Sequence, residues 1–152
     1  MALDPTDIRI LGVLQKRGRI SNADLSEAVN LSPSACHRRV QRLESDGYIR
    51  DYVALLDPRK LGVPTTVFVE ITLQGQADEV LDAFEKAVAR IPDVLECHLM
   101  AGSADYILKV VAENTEDFAR IHRQHLARLP GVAQMQSSFA LRTVFKTTAL
   151  PL

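Results

Sequence analysis

Along the first fifty residues the apolar positions recur at helical spacing. Ile8, Ile10, Leu11 and Leu14 form one wide stripe. In front of it stands Asp4-Pro5-Thr6-Asp7, a capping residue, a proline suited to the first helical position and an acid three residues after the cap. Lys16, Arg17 and then Gly18 mark its end. Ser21-Asn22-Ala23-Asp24 is a second capping box, opening a short helix with Leu25, Ala28 and Val29 inward, which Asn30 ends in a left-handed conformation. Ser32-Pro33 opens a third helix, in which Cys36, Val40 and Leu43 recur at i, i+4 and i+7 as the buried stripe and Gly47 supplies the C-terminal cap. At about 100° per residue, Ser34, His37, Arg38, Gln41 and Arg42 fall on the outward side. Arg39 points to the flank of the stripe, toward a phosphate or an internal acid such as Glu44.

Beyond this the period changes. Residues 48–56 read as extended, and Asp57-Pro58 and Gly62-Val63-Pro64 are breaks. They divide the chain into a domain at 1–50, a linker strand and turn at 51–63 and a second domain at 64–152. In that domain Val67, Val69, Ile71 and Leu73 alternate with Phe68, Glu70 and Thr72, a strand. A helix follows at 77–90, strands at 94–101 and 106–112 around a turn at Gly102-Ser103-Ala104-Asp105, a helix at 115–129 and a strand within 132–144. The order β-α-β-β-α-β is the ferredoxin-like split arrangement, and the fold class is α+β. Arg90-Ile-Pro-Asp-Val94 and Arg128-Leu-Pro-Gly-Val132 repeat at a distance of 38 residues, each leading from a helix into a strand, as the two halves of such a domain require.

A sheet of this kind carries helices on one face only. By alternation the other face holds Phe68, Glu70, Glu96, His98, Met100, Ile107, Lys109 and Val111. Large apolar groups among charges of both signs point to a dimer interface, where a second sheet covers them.

The formal net charge of −1 conceals an asymmetry. Residues 1–60 hold ten Lys/Arg against eight Asp/Glu, whereas 61–152 hold eight against eleven. Arg38, Arg39 and Arg42 lie within five residues with no acid among them, a localised electrostatic footprint. Two short helices joined by a tight turn, the second presenting polar and basic groups outward, form the helix-turn-helix pattern. Ser and Gln hydrogen-bond base edges or phosphates, and Arg pairs with phosphate or bidentately with guanine. The candidate DNA contacts are therefore Ser32, Ser34, His37, Arg38, Arg39, Gln41 and Arg42, with His37 either at a base or phosphate or simply in solvent.

With these residues in place, the chain resembles the leucine-responsive/asparagine-regulator (Lrp/AsnC, feast/famine) family essentially end to end. The resemblance is carried by Leu3-Asp4 with Asp7, Leu31-Ser-Pro-Ser-Ala-Cys-His-Arg-Arg-Val40, Arg42-Leu-Glu-Ser-Asp-Gly-Tyr-Ile49, Leu56-Asp-Pro58 with Leu61-Gly62, Gly102-Ser-Ala-Asp-Tyr106 and Leu129-Pro-Gly-Val132. It implies a winged helix-turn-helix before the ferredoxin-like domain, dimers assembling further to octamers on double-stranded DNA, and an amino-acid effector bound near the turn after the second strand. Carried over, the effector residues are Gly102, Ser103, Ala104, Asp105 and Tyr106, completed by Gln136, Ser137 and Ser138. Asp105 either accepts from an α-ammonium group or caps its own turn. Ser103-Ala104 stands where many relatives carry an acid and an aromatic residue, and His37 where many carry leucine.

Other classes find little support. No nucleophile, base and orienting group come together, so no catalytic residue is assigned. His122 and His125 share a helix face without the further ligands of a metal site, and no cofactor beyond the effector is expected. Cys36 and Cys97 read as free buried thiols. No apolar run approaches the roughly 18 residues of a membrane span, and the acidic start of the chain is unlike a signal peptide, so a cytoplasmic protein is expected. The alternative function is a nucleoid-architecture protein that binds DNA and senses nothing.

Overall fold

A computed structural model describes residues 2–152. It divides into two units, one running up to Leu55 and including Phe145–Leu152, the other spanning Leu56–Val144. The last eight residues thus group with the first unit, whereas the sequence reading assigns them to the second domain.

The first unit holds three helices, α1 (Pro5–Leu14), α2 (Asn22–Ala28) and α3 (Pro33–Ser45). Each starts where its cap dictates. Asp4 accepts from the Asp7 backbone N–H at 2.8 Å and the Asp7 carboxylate accepts from the Asp4 N–H at 3.3 Å, a complete capping box. Ser21 accepts from the Asp24 N–H without the reciprocal bond, and Ser32 accepts from the Ala35 N–H. Asn30 at φ 57° and Gly47 at φ 79° take the left-handed conformations that end α2 and α3. Ile10, Leu25, Val29, Cys36 and Leu43 form the buried core. The stretch at 50–56 is extended but pairs with no strand, so among the described residues no wing strand follows α3. Near the chain end, Gln15 binds both backbone groups of Leu150: its amide donates to the carbonyl at 2.9 Å and its oxygen accepts the N–H at 2.8 Å.

The second unit is one antiparallel sheet in the order β2-β3-β1-β4, with β1 Thr65–Leu73, β2 Val94–Leu99, β3 Tyr106–Ala112 and β4 Val132–Phe139. Helices α4 (Asp78–Val88) and α5 (Thr115–Gln124) connect the strands, the ferredoxin-like arrangement expected. The second helix is shorter than its apolar pattern suggests, closing in a single 3-10 turn at Leu126–Arg128. Val67, Val69, Ile71, Tyr106, Leu108 and Val110 meet Phe84, Val88, Phe118 and Ile121 on one face of the sheet. The other face carries no helix of this unit.

The first unit depends on an ion pair. Asp7 is 1 % exposed, and Arg39 Nη1 meets its carboxylate at 2.9 Å while Arg42 Nη2 closes on the other oxygen. Arg39 also meets Asp4 at 2.7 Å. The Arg39 hydrogen bond, followed by the Asp7 backbone N–H, holds the Asp4 carboxyl below its ordinary 3.8. A lowered folded-state pKa means that the contribution is fully present above the unfolded value and fades as pH falls below about 3.8. Removal of Asp7 strands two guanidinium groups that remain partly hydrated, which places the cost near the lower end of the range for a broken buried pair. Asp7→Ala should therefore destabilise the helical unit by about 3 kcal/mol, read as an earlier loss of far-ultraviolet helical signal in urea. A curve superimposable on the parent's would show that the pair contributes nothing.

Candidate functional site

The turn between α2 and α3 is fixed locally. Asn22 Nδ2 donates to the Pro33 carbonyl at 2.9 Å, and the Leu31 N–H donates to the Ser26 carbonyl at 2.9 Å. With Cys36 and Leu43 buried beneath, Ser34, His37, Arg38 and Gln41 line the exposed side of α3, with Ser32 exposed at its cap. These five expected contacts share one surface.

The other two arginines lie elsewhere. Arg42, placed outward by its helical angle, turns back and is half-buried against Asp7. Arg39 binds an internal acid, as one of its two readings had it, but the acids are Asp4 and Asp7 rather than Glu44. Glu44 instead accepts from the Tyr52 hydroxyl at 2.9 Å; burial first, and this bond second, push the Tyr52 phenol up to about 12. The long guanidinium stems defeat the angular argument: one turn of helix is short enough for Arg42 to reach a buried carboxylate on α1.

In the second unit the register sorts the effector candidates onto two faces. On β4, Gln136 and Ser138 pair with Glu70 and Phe68 and lie on the open face, whereas Ser137 pairs with buried Val69 and faces the helices. Tyr106 is also on the helix side, 1 % exposed and stacked on Phe84 at 4.5 Å. Its hydroxyl donates to Glu85 Oε1 at 2.6 Å. Burial, reinforced by that bond, raises its pKa well above the ordinary tyrosine value. Tyr106 lines a cavity of about 430 Å³ between β2 and α4, with Cys97, Leu99 and Val88 among its other walls. Cys97, half-buried rather than buried, has its thiol pKa raised by burial and then by Glu85.

Asp105 does what a turn-capping aspartate does. Its N–H donates to the Ile71 carbonyl at 2.9 Å, and its carboxylate accepts from the Leu73 N–H at 2.7 Å and the Gln76 amide at 2.9 Å. With these bonds it staples the β2–β3 turn to the end of β1 and sets Ser103 and Ala104 over the open face. There they close a hollow of about 170 Å³ with Glu70, Thr72, Gln134 and Gln136. Three of the six lining residues, Glu70, Thr72 and Gln134, were not among the expected effector contacts. Their signal lies in the β1–β4 register, which sequence alternation does not specify. A Cβ built on Gly102 meets nothing within 4 Å, so the turn itself leaves open space at this position.

Glu96 accepts from His98 at 3.1 Å and pairs with Lys109 at 3.5 Å on the same face. These bonds, that of His98 first, hold the Glu96 carboxyl below its ordinary value. Among the described residues no group of His, Cys, Asp and Glu is arranged to hold a metal ion, and no helix is long and apolar enough to cross a membrane.

Residues 66–150 match the model of the Lrp/AsnC ligand binding domain, and residues 3–50 match that of a winged helix-turn-helix DNA-binding domain. The leucine-responsive regulatory protein of Escherichia coli K12 is 42% identical over 148 residues, 97% of this chain and 90% of that protein. A Neisseria meningitidis transcriptional regulator, solved as an L-Met complex, superposes with a TM-score of 0.94 at 39% identity, covering 99% of this chain and 97% of its own. An AsnC family transcriptional regulator from Agrobacterium tumefaciens gives 0.94 at 37% identity, over 98% and 97%.

Of the three arginines, Arg38 alone lies fully on the exposed side. Arg38→Ala should weaken duplex binding about equally across sequences and lower the slope of log affinity against log salt by about 1. Fluorescence anisotropy at several salt concentrations measures both; an unchanged slope removes Arg38 from the phosphate contacts.

Proposed function

The chain belongs to the Lrp/AsnC family of transcriptional regulators, and on that premise we propose that it reads duplex DNA with the outer face of α3 and answers to an amino acid held in the hollow under the β2–β3 turn. It is a DNA-binding regulator responsive to an amino acid or related small molecule, and not an enzyme. The observation that carries the DNA contacts is the division of labour on α3. Arg39 and Arg42 are tied to Asp4 and Asp7, whereas Ser34, His37, Arg38 and Gln41 stay on one exposed surface. That surface enters the major groove, with Arg38 on phosphate and Gln41 and His37 on base edges, while Ser32 and Ser34 at the helix start face the backbone.

One such helix neutralises few phosphates, so firm binding requires several copies. The open sheet face supplies the means: Phe68, Ile107 and Val111, among the polar groups, are covered when two sheets pack face to face. Further assembly of dimers, up to octamers, brings DNA heads into fixed spacing. The effector acts by linkage, binding one assembly better than another and so shifting DNA affinity.

The effector reading is tested by a thermal-shift panel of the twenty amino acids at millimolar concentration. A ligand present at about a hundredfold over its Kd adds roughly 2.7 kcal/mol to the folded state. At least one chemical group of amino acids should raise the melting temperature; silence across the panel defeats this part of the proposal. Light scattering should give a dimer or larger at micromolar concentration, and a monomer would refute the sheet-face interface.

A further inference from the structure

Glu70 sits near the middle of β1, a central strand of the sheet, on the face without helices. Its neighbours in register are Ile107 on β3 and Gln136 on β4. Every other charged group of this face has found a partner: Glu96, His98 and Lys109 form one cluster. Glu70, among the described residues, has no ion pair and no hydrogen bond through its carboxylate. It is also the one charged side chain lining the hollow under the β2–β3 turn, whose remaining walls are Thr72, Gln134, Gln136, Ser103 and Ala104.

An unpaired carboxylate on an exposed face is inexpensive. It becomes costly once that face is covered, because desolvation then goes uncompensated. Nothing in the hollow supplies a cation: the lining contains neither Lys, Arg nor His, and Lys109 is held by Glu96. Within the chain nothing remains to neutralise Glu70, and a ligand carrying an ammonium group would supply the missing charge. The obvious acidic alternative, Asp105, is already satisfied by the Leu73 N–H and the Gln76 amide.

We infer that Glu70 is the anchor for the α-ammonium group of the effector. This rests on the amino-acid reading above and assigns the polar head of the ligand to this chain. The ammonium donates to Glu70, and the α-carboxylate accepts from the Ser103 hydroxyl and the Gln134 or Gln136 amides. The hollow offers the ligand's side chain little apolar surface beyond the methyl groups of Ala104 and Thr72, so the side chain points out of it. Neutralisation of Glu70 removes the penalty for covering the face, and this ties effector binding to assembly without a moving part.

The test is calorimetric titration of the full-length protein and its Glu70→Gln variant with L-leucine, L-methionine and L-glutamine, each beside its des-amino acid. Glu70→Gln keeps the side-chain shape on an exposed position. Loss of a charge-assisted hydrogen bond predicts a roughly ten- to hundredfold weaker Kd for the amino acids in the variant. The parent should prefer each amino acid it binds over the des-amino counterpart by a similar factor, and the variant should not discriminate. Should the variant bind those amino acids as tightly as the parent, the anchor assignment is wrong while the effector reading stands. Equal affinity of the parent for an amino acid and its des-amino acid overturns the assignment independently. If Glu70 instead receives a cation from a second copy, the variant would weaken the dimer and leave amino-acid affinity intact, which also overturns it. A parent that responds to none of the three amino acids, nor to any other in the thermal panel, removes the effector reading and this inference together.

Discussion

The buried carboxylate of Asp7 organises the DNA-binding unit. It is almost wholly removed from solvent, it completes the capping box at the start of α1, and it receives guanidinium groups from two successive turns of α3. A buried charge of this kind is tolerable only when paired, and pairing it with α3 fixes the rotation of that helix about its own axis. The rotation in turn decides which side chains face outward. Asp7 thereby bears on what the outer face of α3 presents: it ties back two arginines, while Ser34, His37, Arg38 and Gln41 stay exposed.

The second unit has a different governing constraint. Both helices lie on one face of a four-stranded sheet, leaving the other with half-buried apolar groups set among charges. Such a face resembles the inner surface of a sandwich awaiting its second layer more than an outer surface built for water. Its polar features are unequal. Near the β2 edge Glu96 is engaged by both Lys109 and His98, whereas Glu70 stands alone beside the amides of β4. Asp105 links these features to the turn: by tying it to Ile71, Leu73 and Gln76, it shapes the roof of the hollow without contributing a free acid to it.

Much of this was legible in the residues. Caps at Asp4, Ser21 and Ser32 located three helix starts, because capping is a local bond between neighbours. The change from a helical to an alternating period marked the second unit and its six elements in order. The open-face residues of β1 and β3, and Glu96 and His98 of β2, followed from alternation alone, whereas Met100 lies just beyond the end of β2 at Leu99. Element ends were less legible: α5 stops at Gln124 although the apolar pattern runs to Leu129, which belongs to the core through a separate 3-10 turn.

The sequence by itself determined the elements, their order, the one-sided sheet and the exposed polar face of α3, since each depends on contacts between near neighbours or on the period of the chain. Only the tertiary structure decided how partners distant in sequence were matched. It drew Arg42 back to an acid 35 residues away, an ion pair that long flexible side chains permit and helical angles do not foretell. It matched Ser137 with buried Val69 across the β1–β4 pair and set Tyr106 against Phe84 and Glu85, partners distant in sequence that alternation does not name. The same register set Gln136 beside Glu70, joining to an expected contact a carboxylate that the sequence offered only as one charge among several on an open sheet.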